Sequence, residues 1–281
     1  MTSRILDRIR RSYQTATSDL YIEQLCTSWI LPTWLLGTVR AIFSVYAFTT
    51  LFYIIGYRIA IGQAEGVQQS FSYFTVLGYW GLAFYNAFAS LHTASYSIRE
   101  KALLQSWPAP LKYLHSVFYA TVTVFPFIVT AVYWAVLSKD AFVSQFSTWS
   151  NISEHAMNSA FAFVELALPR SQPHPWINLA PLILLLALYL SLAYLTHETE
   201  GIYVYDFLDP SNGSGSVTGY CFAILAACIV IFIVVRYLQL LRQWLAEQKL
   251  GTARLASTRH DTESLELAHV VSSDEKPKCG R

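Results

Sequence analysis

Charged side chains are scarce in this sequence, and neither sign of charge prevails. Asp, Glu, Lys and Arg together make 13% of the 281 residues, whereas ~25% is usual in soluble domains. The formal net charge of +1 at pH 7 excludes an overall basic surface of the kind that binds nucleic acid. The composition therefore argues against a soluble domain and against nucleic acid as a partner.

Cysteine is also sparse, and its spacing predicts no chemistry. The four cysteines show neither a CxxC spacing nor a Cys/His spacing typical of metal sites. A metal site built from His155, His197 and an acid is conceivable, but HxxxH and HExxH spacings are absent. No metal or cofactor is predicted. No secretory signal is predicted either, because the basic N-terminal residues are not followed promptly by an apolar core and a cleavage site.

Long apolar runs occupy most of the chain. Apolar residues make 54% and aromatic residues 15% of it, which is typical of a membrane protein whose helix ends lie at the interface. Six runs approach or exceed the ~20 residues that a spanning helix requires. They cover approximately Val39 to Ala60, Phe71 to His92, Tyr113 to Leu137, Trp149 to Leu168, Ile177 to Thr196 and Val217 to Leu241. The sequence thus predicts an all-α polytopic membrane protein with six transmembrane helices.

Three regions are predicted along the chain. Residues 1–37 are expected to form a cytosolic N-terminal segment, residues 38–245 the six-helix transmembrane domain, and residues 246–281 a disordered cytosolic tail. Within the first region, Asp19 to Ile30 has apolar residues at near-helical spacing. This pattern predicts a short interfacial helix that lies on the membrane surface.

The basic residues predict how the helices are oriented. They concentrate at the two ends of the chain and in the loops after the second and fourth runs, at Arg4, Arg8, Arg10, Arg11, Arg99, Lys101, Lys112, Arg170, Arg242, Lys249 and Arg254. The opposite loops contain only Arg58 and Lys139, so the positive-inside rule places both termini in the cytosol. His92 and His115 are expected near the cytosolic helix ends, in contact with the interface. We expect a location in the endoplasmic reticulum, another endomembrane or the plasma membrane.

Ionisable residues within the fourth apolar run are the main indication of function. Such groups normally face a protein interior, a water-filled cavity or a working site. In the predicted topology His155 lies ~9 Å below the outer or lumenal end of its helix, and Thr75 lies at a similar depth near the start of the second helix. Glu165 lies ~15 Å further along the axis. It is expected to pair with Arg170 or to lie at the floor of a cavity.

A threonine beside a histidine suits nucleophilic catalysis. The alcohol needs a neighbouring base when it attacks a carbonyl group, and histidine can accept and return that proton near neutral pH. Thr75, Tyr79 and Asn86 are spaced to share one helix face, which would place polar groups near the hydroxyl. The alternative is that Thr75 hydrogen-bonds the backbone one turn back, as threonines in membrane helices commonly do.

Three motifs resemble a known family. They are FxYFTxLGYWGLAFY at Phe71 to Tyr85, WxNxxxHxMN at Trp149 to Asn158, and THETEGIYVYDFL at Thr196 to Leu208. Together they resemble the androgen-induced and androgen-dependent TFPI-regulating protein family of multi-pass membrane proteins, over roughly residues 40 to 245. Members of that family are threonine hydrolases that cleave fatty acid esters of hydroxy fatty acids. The resemblance implies Thr75 as the nucleophile and His155 as the base.

The chain departs from the family pattern at three places. Animal members have a second histidine where this chain has Ile152 and an acidic residue where it has Gly78. The paired histidines expected after the fourth helix are reduced to His174. None of these departures replaces the predicted nucleophile or base.

The resulting interpretation is an integral membrane hydrolase of lipid esters, with the acyl chain among the second, fourth and fifth helices. Tyr79, Asn86 and Asn158 are candidates for hydrogen bonds to the oxyanion, and His197 is a candidate for substrate contact or an interfacial cap. A non-catalytic lipid-binding regulator or small-molecule carrier is the alternative. Carriers tend to have inverted repeats and broken helices, and neither is apparent. The expected partners are a lipid ester and the bilayer.

Overall fold

The protein is built from helices joined by short connections. The computed structural model describes residues 2–138 and 141–246, so the predicted tail at 246–281 lies outside the described residues except for Ala246. The helices are α1 (Thr2–Thr17), α2 (Asp19–Cys26), α3 (Thr33–Ala60), α4 (Ala64–Ser70), α5 (Phe74–Arg99), α6 (Ala109–Val132), α7 (Gln145–Ile152), α8 (Asn158–Ala167), α9 (Leu179–Glu200) and α10 (Ser214–Trp244). No sheet forms within the described ranges, which confirms the all-α prediction.

Within residues 2–138 and 141–246, four helical segments are long and apolar enough to cross a membrane. They are Thr33–Ala60, Ala109–Leu137, Trp176–Glu200 and Ser214–Trp244. These segments correspond to the first, third, fifth and sixth predicted runs, and their length and composition support a membrane protein. The second and fourth runs correspond to α5 and to α7 with α8, which carry more polar residues. Six spans and cytosolic termini therefore stay predictions.

Helices α7 and α8 form one continuous helix that contains a π-helical turn at Ser153–Met157. The helix begins at Gln145 because the Ser144 side chain caps it by accepting a hydrogen bond from the Ser147 backbone N–H at 3.0 Å. A second π-helical turn, Tyr133–Leu137, extends α6. Such turns occur often at functional positions, and His155 lies within the first of them.

The polar connection after α9 is folded back over the start of α5. Helix α9 ends at Gly201, whose φ of +72° is a left-handed conformation that glycine adopts without a Cβ clash. Residues 202–213 then lead to α10. The Tyr189 hydroxyl on α9 donates to the Ser72 carbonyl at 3.0 Å, and the Thr196 hydroxyl donates to the Ser72 hydroxyl at 3.0 Å. These bonds join α9 to the segment that precedes α5, and the Tyr205 ring of the connection meets the Tyr73 ring edge to face, with centroids 5.6 Å apart.

Small residues allow α3 and α5 to pack closely. A Cβ built on Gly37 would lie 3.5 Å from the Thr93 methyl group, so the two backbones are near one another. Ser90 donates to the Gly37 carbonyl at 2.9 Å, and Ser44 donates to the Ala83 carbonyl at 3.0 Å. Close approach through small residues with interhelical hydroxyl bonds is typical of helices that associate in membranes.

Helix α2 is the short helix predicted between residues 19 and 30. Its apolar side chains differ from the expectation because they contact protein: Tyr21, Ile22 and Leu25 are buried, and the helix packs against α3 and α5. The Tyr21 and Ser116 hydroxyls are hydrogen-bonded at 3.1 Å. Only Leu20, 56% exposed, has the exposure expected of a residue that faces lipid.

Candidate functional site

Thr75 lies in the first turn of α5 and lines an apolar cavity of about 270 Å³. The cavity lies between α5, α6, α9 and α10, and the residues after α9 close one side of it. Aliphatic and aromatic side chains make most of its lining, including Ile128, Val132, Leu186, Leu190, Phe222 and Leu225. A hydroxyl at the wall of such a cavity is placed to meet the polar group of a lipid whose hydrocarbon chain fills the rest.

Tyr205 is a polar neighbour of Thr75. Burial of its hydroxyl raises the pKa of Tyr205. The rise is opposed by hydrogen bonds to the side chains of Tyr189 and Thr75 and to the backbone N–H groups of Phe74 and Thr75. The start of α5 therefore contains a cluster of three hydroxyl groups beside two backbone N–H donors. Sequence reasoning missed Tyr205, although it belongs to the motif at 196–208.

His155 is buried, with 8% of its surface exposed, and its ring is stacked on Tyr133. The two ring centroids are 3.5 Å apart and the planes differ by 3°. The Thr130 hydroxyl donates to the His155 backbone carbonyl, which the π-helical turn presents to α6. The imidazole Nδ1 has no hydrogen-bond partner within the described residues.

The predicted nucleophile and base have Tyr133 as a common neighbour and are not hydrogen-bonded to each other within the described residues. Within the described part of the chain, no hydrogen bond joins the Thr75 hydroxyl to the His155 ring. Tyr133 lines the cavity together with Thr75, and its ring is the one on which His155 stacks. The two residues are therefore linked through one aromatic side chain.

Tyr79 and Asn86 lie in the core between helices and do not line the cavity of Thr75. Tyr79 is completely buried and its hydroxyl lies near Thr50 on α3. The Asn86 side-chain amide donates to the Leu82 carbonyl at 2.9 Å. The predicted common face of Thr75, Tyr79 and Asn86 does not bring these groups into one cavity.

Asn158 lines a second cavity of about 570 Å³ between α5, α6 and α9. Its amide donates to the Glu154 carbonyl at 3.3 Å. The two cavities share Phe74, Val129 and Tyr189 as a common wall. Gly78, where animal members of the resembling family have an acidic residue, also lines the second cavity.

His197 lies outside the linings of both cavities. Its ring is stacked on Tyr203, with centroids 3.8 Å apart and 12° between the planes. His197 lies one turn before the end of α9. This position suits the role of an interfacial cap better than the role of substrate contact.

Glu165 pairs with Arg40 of α3, so the prediction of a pair with Arg170 is wrong. The Arg40 Nε donates to one carboxylate oxygen at 3.0 Å and a terminal nitrogen contacts the other. The Tyr85 hydroxyl donates to Glu165 at 2.9 Å, and Arg40 also donates to the Thr93 hydroxyl at 2.6 Å. Arg170 instead lies over the Trp29 ring, 4.6 Å from its centroid. Arg40 was not predicted as the partner of Glu165 because the two residues are 125 positions apart in the sequence.

His92 and His115 are buried beside this ion pair and do not contact the interface as expected. Their exposed fractions are 3% and 7%, and the rings meet edge to face with centroids 5.2 Å apart. His115 also stacks on Tyr85 at 5.7 Å. The position near a helix end indicated exposure, but α2 and the turn at Leu103–Ser106 cover that end.

A second Thr–His pair is present but enclosed. The His174 Nε2 and the Thr123 hydroxyl are 2.8 Å apart, and both residues are completely buried. Thr123 also donates to the Tyr119 carbonyl at 2.8 Å. Neither residue lines the two cavities described above. The contact between them joins α6 to the segment before α9.

Comparisons with known proteins do not identify a family. No family model, no curated protein and no solved structure matches this chain. The resemblance to the androgen-induced family therefore stays a prediction from its motifs. Within the described residues, no group of three His, Cys, Asp or Glu side chains could hold a metal ion.

Proposed function

We propose that this protein is an integral membrane hydrolase of lipid esters, of the class of fatty acid esters of hydroxy fatty acids, with Thr75 as nucleophile and His155 as base. One observation carries the proposal: Thr75 lines an apolar cavity whose wall also contains Tyr133, the residue that stacks on His155. The cavity would accept an acyl chain, and the hydroxyl would meet the ester.

The reaction follows the usual two steps of covalent ester hydrolysis. The Thr75 oxygen attacks the carbonyl carbon while its proton passes to the imidazole of His155, and the leaving alcohol takes that proton as the C–O bond breaks. Water then attacks the acyl-threonine with His155 as base, and the fatty acid and the free hydroxyl are released. Because no hydrogen bond joins Thr75 to His155 within the described residues, a bridging water would carry the proton between them in this proposal.

Tyr205 replaces the predicted oxyanion donors in this proposal. Tyr79 and Asn86 lie in the core, and Asn158 faces the other cavity. The Tyr205 hydroxyl and the N–H groups at the start of α5 lie next to Thr75. Donors at a helix N-terminus stabilise negative charge that develops on an oxygen.

We also propose that α5 and the α7–α8 helix are the remaining two spans. Their lengths support this: α5 has 26 residues, more than the ~20 that a span requires. Six spans would leave both termini on the same side of the membrane, and the positive-inside rule makes that side the cytosol, for a protein of an endomembrane or the plasma membrane. Glycosylation of the Asn212-Gly213-Ser214 sequon in microsomes tests the orientation, because only a lumenal loop is modified.

The second candidate function is lipid binding without turnover, as in a regulator or carrier. Two observations favour it: the cavity is almost entirely apolar, and within the described residues no hydrogen bond joins Thr75 to His155. In this case the cavity would hold a lipid, and the hydroxyl would remain unreactive.

A fluorophosphonate probe distinguishes the two functions because it labels only an activated hydroxyl. The expected result is labelling of the wild-type chain in nanodiscs, loss of labelling and of ester hydrolysis in Thr75→Ala, and labelling in Thr75→Ser. Thr121→Ala is the matched control, since Thr121 is also a helical threonine that lines a cavity and its hydroxyl donates to the Phe118 carbonyl at 2.7 Å. Hydrolysis by Thr75→Ala at the wild-type rate would contradict the proposal.

A further inference from the structure

Helix α1 carries an apolar stripe that the protein covers only in part. Ile5, Ile9, Tyr13 and Ala16 recur at intervals of three or four residues and share one side of the helix. Ala16 is completely buried, and the Tyr13 ring packs on Tyr113 with centroids 5.3 Å apart. Ile5 and Ile9 continue the stripe but are 52% and 46% exposed. The same face of α1 thus contacts protein near Ala16 and is left largely uncovered by the described residues near Ile5 and Ile9.

Arginines border the exposed half of the stripe. At 100° per residue, Arg8 and Arg10 fall on its two sides, and Arg4 and Arg11 lie further round the helix. All four are exposed, and the only acidic residue of α1 is Asp7. Four positive charges beside an exposed apolar stripe are unfavourable for a protein core and complementary to an anionic bilayer surface.

The position of α1 in the fold also supports contact with a bilayer surface. The helix packs against α6 and against the turn at Trp176–Asn178, and both mark the beginning of a candidate span. Leu6, 61% exposed, widens the uncovered stripe. At the end of a membrane-spanning bundle, an apolar stripe that extends past the protein meets lipid.

We infer that the N-terminal half of α1 lies on anionic phospholipid, with its exposed apolar stripe between the acyl chains and its four arginines against the phosphate groups. This inference does not depend on the proposed ester hydrolysis. It requires only that the protein is embedded in a membrane. It assigns to α1 the interfacial role that the sequence predicted for α2. In the predicted topology this surface is the cytosolic leaflet, which carries the anionic lipids.

Hydrogen exchange of the full-length chain in nanodiscs tests this inference. Discs of phosphatidylcholine alone are compared with discs that also contain phosphatidylserine. The expected result is that backbone amides between Ile5 and Arg11 exchange about tenfold more slowly in the anionic discs, and that the difference decreases at high salt because the ions screen the attraction. Equal exchange in the two kinds of disc would overturn the inference.

Two variants separate the contributions of charge and of apolar contact. Replacing the four arginines of α1 by Gln should abolish the difference between the discs, and Ile5→Ser with Ile9→Ser should reduce protection in both. Arg99→Gln with Lys101→Gln is the control, because it removes two exposed positive charges from outside α1. Protection that appears only in discs holding two copies of the chain would assign the stripe to self-association and also overturn the inference.

Discussion

The imidazole of His155 lies parallel to the phenol ring of Tyr133, with 3.5 Å between centroids and 3° between planes. The two residues belong to π-helical turns in different helices. The Tyr133 ring covers one face of the imidazole, so Tyr133 restricts the ring of His155. Because Tyr133 also lines the cavity of Thr75, it sets how the proposed base faces the proposed nucleophile.

Replacing Tyr133 should separate the role of its ring from that of its hydroxyl. Tyr133→Phe keeps the stacked ring, and its rate of ester hydrolysis should stay close to wild type. Tyr133→Leu frees the imidazole, and misplacement of a catalytic group by ~1 Å can cost about 100-fold. Initial rates of ester hydrolysis in nanodiscs measure the effect of each variant. If the Leu variant is as active as the Phe variant, Tyr133 does not position His155.

Removal of the Tyr205 hydroxyl should slow the reaction without unfolding the protein. Tyr205→Phe keeps the ring and removes the group beside Thr75, so hydrolysis should fall by about 100-fold, as for loss of one oxyanion donor. Tyr203→Phe is the control, because the Tyr203 ring stacks on His197 and its hydroxyl has no role in the proposal. Equal rates for the two variants would rule out Tyr205 as a donor.

Loss of one partner of the ion pair between Arg40 and Glu165 should lower the stability of the protein more than loss of both partners. Arg40→Met leaves a buried carboxylate uncompensated, and such a change typically costs about 3–5 kcal/mol. The melting temperature should fall by roughly 10 °C. Arg40→Met combined with Glu165→Met should recover much of that loss. Thermal unfolding of the three proteins measures the effect, and a double variant less stable than the single one would contradict this account.

Stability at alkaline pH should depend on Cys26. Burial raises the pKa of its thiol to about 11, from an ordinary value of 9.0. The folded chain therefore holds this proton more tightly than the unfolded chain, and the contribution is complete below pH 9 and is lost as the pH rises towards 11. In melts across this range, Cys26→Ala should show a smaller decrease in stability than wild type. A decrease for Cys26→Ala that runs parallel to that of wild type would show that its thiol is not responsible.

Local sequence was sufficient to place Thr75 near the start of a helix but insufficient to predict the cavity that it lines or its neighbours. The position of Thr75 near the start of a helix follows from the beginning of an apolar run at Phe71. Tyr205 reaches it because Gly201 turns the chain back after α9, a turn whose direction no local pattern specifies. Asn86 and Asn158 illustrate the same limit, since both were expected near the ester and each instead bonds a carbonyl of its own helix.

Side-chain hydrophobicity is a property of single residues, so the sequence by itself determined that this is an all-α membrane protein and which runs form its helices. Partnerships between distant residues depend on how those helices pack. Glu165 meets Arg40 across 125 positions of sequence, and His92 becomes buried because another helix covers it. Only the tertiary structure decided these contacts, including the placement of Tyr133 between His155 and the cavity of Thr75.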